Sequence, residues 1–170
     1  MIRTCFAALV CLGFGVSAPF TLVLADPPAH SDSIAIKGGV DHPRTLAPAD
    51  LQHEPQTTVS ISQHTGHGTL SGSFTGVSLW TLLQEAGVTM EAGKKNDVIH
   101  HTVTVTGSDG YEAVLSLGEI APEFGGDQAM IAWQQDGKPL EGGNGFARLI
   151  VPGDKAAGRA VSAIATIEVK

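Results

Sequence analysis

The chain has 170 residues, 42% of them apolar, and a formal net charge of −7 at pH 7. An acidic balance repels phosphate backbones and anionic bilayers, so nucleic acid and membrane surfaces are poor partners. The part beyond residue 25 is long enough for one domain and too short for two ordinary ones; both cysteines, Cys5 and Cys11, precede it, so no thiolate remains there for zinc, copper or nucleophilic chemistry.

Residues 1–25 read as a secretory signal. Arg3 supplies the positive start, residues 6–16 the apolar stretch, and Val23-Leu24-Ala25 a compact cleavage site before Asp26. Gly13, Gly15, Ser17 and Pro19 interrupt the apolar run and weigh against a spanning anchor. Leu9-Val10 lacks the small residue expected before a lipidated cysteine at Cys11. Cleavage after Ala25 predicts a soluble periplasmic or secreted protein, with no membrane attachment once the signal is gone. Residues 26–33 form a polar, proline-containing lead expected to be flexible, and residues 34–170 form the domain.

Within the domain, residues 34–37 predict a first strand ended by Gly38-Gly39. Residues 47–53 predict one or two helical turns, with Thr45 as a cap. Residues 57–62 alternate polar and apolar side chains with β-branched members, a strand pattern. Residues 63–73 are rich in Gly, Ser, Thr and His and predict a loop or a loose strand. Ser78 is placed to cap a helix over residues 79–86, where Leu79, Leu82, Leu83 and Ala86 make one apolar face and Gly87 the stop. Trp80 lies beside that face and is expected to pack.

Residues 98–106 predict a strand with Val103 and Val105 on one face. Asp109-Gly110 turns the chain and residues 111–115 return as its partner. Ser116 and Glu119 have the spacing of a capping box. Residues 129–133 and 148–151 predict further strands, the second stopped by Pro152-Gly153. Asp136-Gly137 is a turn, and residues 142–145 a flexible loop. Residues 160–169 predict the closing strand, with Val161, Ala163, Ala165 and Ile167 on one side. Short strands, glycine-rich turns and one firm helix give an α+β domain of mixed β-sheets with a few short helices, whose loops build the functional face.

Three blocks occur in a recurring order. They are Phe74-Thr75-Gly76-Val77-Ser78-Leu79-Trp80-Thr81-Leu82-Leu83, then Asp109-Gly110-Tyr111, then Arg148 with Pro152-Gly153 and Gly158-Arg159. In order and spacing residues 40–170 resemble the molybdopterin-binding domain of sulfite-oxidase-type enzymes. The resemblance implies that family's compact α+β fold. It places Arg148 and Arg159 where the family approaches the pterin and its phosphate, and Asp109 in a turn facing the same cofactor. A guanidinium suits phosphate because it offers parallel donors at fixed spacing. Either arginine could instead bridge a carboxylate, and Asp109 is most simply a turn residue before Gly110.

The resemblance also implies a molybdenum cofactor held by one cysteine, near the end of the strand at 59–61 or just after it. This chain has Ser60, Ser62, Gln63 and His64 there, and a serine hydroxyl does not give up its proton as a thiol does. The family's histidine before the first arginine is replaced by Gly142-Gly143-Asn144-Gly145, and its closing Lys-Trp pair by Ser162-Ala163. The leading expectation is a non-catalytic member that binds a small anionic ligand or a periplasmic protein partner in the former cofactor cleft. One alternative is a molybdenum-cofactor oxidoreductase component. A second is a periplasmic metal-binding module using His64, His67 and either His100 or His101. Neighbouring strand residues point to opposite faces, so only one of that last pair could join.

Overall fold

The computed structural model describes residues 31–126 and 128–170; the expected leader and most of the lead lie outside the described residues. Among the described residues ten strands form two sheets, accompanied by three short α-helices. The first has the order β2 (Arg44–Leu46), β1 (Ile34–Gly38), β10 (Ile164–Val169), β5 (Thr102–Gly107) and β6 (Glu112–Ser116). The second runs β3 (Gln56–Thr65), β4 (Gly68–Ser78), β7 (Met130–Gln135) and β8 (Lys138–Pro139), with β9 (Arg148–Ile150) also on β7. β1 and β10 are parallel and the other pairings antiparallel, so the first sheet is mixed.

The alternation expected of strands decides which side chains meet. Ile34 and Ile36 of β1, Val103 and Val105 of β5, Leu115 of β6 and Ile167 of β10 are buried in one core. Val77, Ile131 and Leu149, side by side across β4, β7 and β9, face the same core. The helices are α1 (Pro48–His53), α2 (Leu79–Ala86) and α3 (Leu117–Ile120). They contribute Leu51, the buried face Leu79, Leu82, Leu83 and Ala86, and Leu117 with Ile120. Trp80 packs against this core half-buried. The opposite face of the second sheet carries a smaller apolar cluster of Ile61, Phe74, Met130, Ala132 and Ile150.

Several boundaries differ from the sequence expectation, each for a local reason. Residues 63–73 are regular hairpin, because β3 and β4 pair without a break up to Thr65 and Gly68. Residues 97–100 form a 3-10 turn, and the strand begins at Thr102. Ser78 stands at the N-cap of α2 but its hydroxyl makes no capping bond. The helix start is tied down instead by the Leu79 N–H, which donates to the Ala129 carbonyl at 2.9 Å. Asp50, not Thr45, serves the start of α1, where its carboxylate accepts the Ala47 N–H at 2.7 Å. Residues 142–144 are a 3-10 turn. The closing strand starts late, at Ile164, because Ala163 sits at φ 46° and breaks the alternation expected from Val161 onward.

Candidate functional site

Arg148 opens β9 beside Ala132 of β7, which in turn pairs with Gly76 of β4 and so with Thr57 of β3. It therefore shares the face of the outer apolar cluster rather than that of the main core. Its side chain is half-buried. Nε and Nη2 donate to the Ser162 hydroxyl at 3.0 and 2.8 Å, and Nη2 also donates to the Asn144 side-chain carbonyl. Every one of these partners is neutral. Among the described residues no carboxylate pairs with Arg148, and its Nη1 makes no hydrogen bond. Burial alone pulls the guanidinium pKa below its ordinary value, since no neighbouring anion offsets the desolvation.

The backbone that holds those partners is unusual. Ala163 adopts a left-handed conformation that costs a non-glycine residue about 1–3 kcal/mol. Its N–H donates to the Asn144 carbonyl at 2.7 Å and its own carbonyl accepts from Ser108 at 2.9 Å. Gly145 approaches so closely that a Cβ there would lie 2.6 Å from the Ala163 Cα. Two segments, residues 144–145 and Ser108, thus fix the kink that points Ser162 at Arg148. Sequence reasoning did not find Asn144 and Ser162 as a pair, because they lie on a loop and beyond a kink whose φ no residue type announces.

Arg159 is placed differently. Its Nε and Nη2 grip Asp154 at 2.9 and 2.6 Å, and Nη1 meets Glu119 of the β6–β7 connection at 2.6 Å. The hydrogen bonds to Asp154, and then those to Glu119, raise its pKa above the ordinary guanidinium value. Two carboxylates already neutralise it, so the carboxylate-bridging role is what its surroundings supply. Asp109 is a turn residue: its carboxylate accepts the Tyr111 N–H at 2.9 Å. The Tyr111 hydroxyl donates to the Gly158 carbonyl at 2.6 Å, tying that turn to the Arg159 loop.

The residues near the end of β3 do not provide a metal anchor. Ser60, Ser62 and His64 are exposed, Ile61 is buried in the outer cluster, and Gln63 is buried with its amide donating to the Val151 carbonyl at 2.7 Å. Two hydroxyls, an amide already engaged and one exposed imidazole make a donor set without a thiolate, which does not fit a thiolate-held molybdenum. Nor do the histidines converge. His101 meets Asp97 at 3.1 Å, and no group of three or more metal-ligating side chains is assembled among the described residues.

A second cluster, around Asp97, was not singled out in the sequence. Asp97 is 6% exposed. It accepts the Glu91 N–H at 2.7 Å and His101 Nε2 at 3.1 Å, and Lys94 Nζ stands 2.8 Å from its other oxygen. The Lys94 hydrogen bond, the Glu91 N–H and His101 hold its carboxyl far below the usual carboxylate range, against an opposing effect of burial. A depressed folded-state pKa stabilises the fold above the ordinary carboxylate pKa, and that contribution is lost as pH falls. Asp97→Asn is therefore expected to lower the denaturation midpoint near neutral pH. It should also flatten the loss of stability expected of the wild type below about pH 4. Parallel denaturation curves of the two proteins at all pH values would show that Asp97 carries no such linkage.

Residues 23–170 match the family described as "Oxidoreductase molybdopterin binding domain". Among solved structures, the chain is similar to the sulfane dehydrogenase SoxCD from Paracoccus pantotrophus, with a TM-score of 0.66 at 21% identity. The match covers 81% of this chain and 37% of that one, so this chain spans little more than a third of the structure it resembles. At that identity the likeness concerns the fold. The comparison with curated proteins finds no match.

Proposed function

This chain belongs to the oxidoreductase molybdopterin-binding domain family, and on that premise we propose that it is an exported, non-catalytic member that binds a small anion at Arg148. The observation that carries the reading is the half-buried guanidinium held by Asn144 and Ser162 with no described carboxylate opposite it. A buried charge without a counter-ion is costly, and a ligand that supplies the counter-ion recovers that cost. The free Nη1 and the partly engaged Nη2 present two donors on one edge, which suits the paired oxygens of a carboxylate, sulfate or phosphate. The kink at Ala163 and the close Gly145 support the reading, since they hold Ser162 in place before any ligand arrives. The absent thiolate supports the non-catalytic part.

Exported protein, expected to begin at Asp26, is the material for the test. Calorimetric titration with phosphate, sulfate and a pterin phosphate should show binding of at least one anion by the wild type. Charge-assisted hydrogen bonds contribute about 1.5–3 kcal/mol each, so Arg148→Ala should weaken that binding by about tenfold or more. Arg159→Ala should have the smaller effect, because Asp154 and Glu119 already occupy that guanidinium. Equal affinity in wild type and Arg148→Ala, or no binding by the wild type, refutes the anion site.

A further inference from the structure

The second sheet ends on a strand whose outer edge is open among the described residues. β3 is the terminal strand of its sheet, and its register with β4 runs unbroken over ten residue pairs. Along an antiparallel strand, the N–H and C=O of alternate residues point to alternate sides. The His64 N–H points outward, since it donates to the Lys155 carbonyl at 2.9 Å. The same alternation turns the main-chain groups of Gln56, Thr58, Ser60 and Ser62 outward, and no described group meets them. Open edges are ordinarily guarded by lysine, proline, a bulge or a covering segment. From Gln56 to Gln63 this edge has no charged residue, no proline and no bulge.

We propose that this edge is an interface with a second copy of the chain, β3 pairing antiparallel with β3 about a two-fold axis at Val59. In that register Gln56 faces the second copy's Ser62, Thr58 faces its Ser60, and Val59 faces its Val59. All four outward-facing residues then exchange main-chain hydrogen bonds. Two chains of formal charge −7 meet along a line that carries no charge. Half-buried Val59 packs at the rim of the outer cluster, so its self-contact joins two small apolar clusters into one strip across the axis. The strand matches itself on both faces, apolar Val59 with Val59 on one and hydroxyl-bearing Thr58 with Ser60 on the other. A contact of this symmetry closes at two copies.

Self-opposed residues of the non-hydrogen-bonded kind stand about 4.5 Å apart between Cα atoms, within the span of about 4.4–6.8 Å that a disulfide bridges. With Cys5→Ser and Cys11→Ser in place, Val59→Cys should therefore oxidise to a covalent homodimer, and Ser71→Cys on the inner strand β4 should not. Sedimentation of the wild type should show a concentration-dependent dimer. Thr58→Lys with Ser60→Lys places like charges opposite each other twice, and should raise the dimer dissociation constant about tenfold or more. Thr58→Lys with Ser60→Glu places opposite charges there and should restore it. Unchanged denaturation midpoints in these exposed variants would show that the fold is intact. A monomer at every concentration with no Val59→Cys cross-link overturns the proposal, as does a dimer that the lysine pair leaves untouched. A monomer that binds a different protein through this edge overturns it as well, in favour of a foreign strand.

Discussion

Gly76→Ala is expected to cost about 3 kcal/mol or more, and in a domain of ordinary stability to leave much of the protein unfolded. Gly76 lies where β4 meets β7, at the register irregularity between Thr75 and Gly76. A Cβ there would overlap the Ile131 carbonyl oxygen and stand 2.5 Å from the Ala132 Cα. Both obstacles are main-chain atoms of the neighbouring strand, so no side-chain rotation relieves them. Relief requires parting β4 from β7, the pair that carries Val77 and Ile131 into the main core and Phe74 and Ala132 into the outer cluster. Gly143→Ala is the control, because nothing lies within 4 Å of a Cβ there and its backbone is unstrained; it should stay within about 0.5 kcal/mol of the wild type. Chemical denaturation of the three proteins reads the difference. Equal midpoints for the wild type and Gly76→Ala would mean that β4 and β7 do not approach so closely.

Leu82→Ala is expected to destabilise the protein by about 2–5 kcal/mol. Leu82 is fully buried in the middle of α2, with Leu79, Leu83 and Ala86 on the same face. The loss has two parts: the transfer energy of the removed carbons and the cavity left among neighbours that relax only partly. α2 spans eight residues and ends on Gly87 in a left-handed conformation. A helix that short is marginal on its own and depends on the packing of its apolar face. The truncation therefore strikes the interaction that holds the helix, while Gln84→Ala on the exposed face should change stability by less than about 0.5 kcal/mol. An unchanged midpoint for Leu82→Ala would place that face away from the core.

The α+β fold was legible where burial imposes a period. Leu79, Leu82, Leu83 and Ala86 announce α2, and Val103 with Val105 announce β5, because each must hide one face. The Ser116 and Glu119 capping box was legible for a similar reason, as local chemistry written in two residues; the Glu119 carboxylate accepts the Ser116 N–H at 3.2 Å. The β3–β4 hairpin was read short, since the Gly, Ser and Thr of residues 63–73 are extended by pairing with one another rather than by propensity. At the site, Arg148 was found through its place before the Pro152-Gly153 corner, but its partners depend on the kink at Ala163. Arg159 shows the opposite case. Asp154 lies close in sequence and could have signalled the clamp, whereas Glu119 comes from another element and could not.

β10 is the last strand of the described residues and stands in the middle of the first sheet, between β1 and β5. On a ribosome, β1 is made first and has only β2 to pair with, in a register of three residues. The core beneath it stays open until residues 164–169 emerge and bind β1 on one side and β5 on the other. Pairings so distant along the chain form slowly, because loop closure precedes any return from the contact. The topology therefore sets a clock on folding: however early β1 and β2 meet, the first sheet cannot close until residues 164–169 have joined β1 to β5.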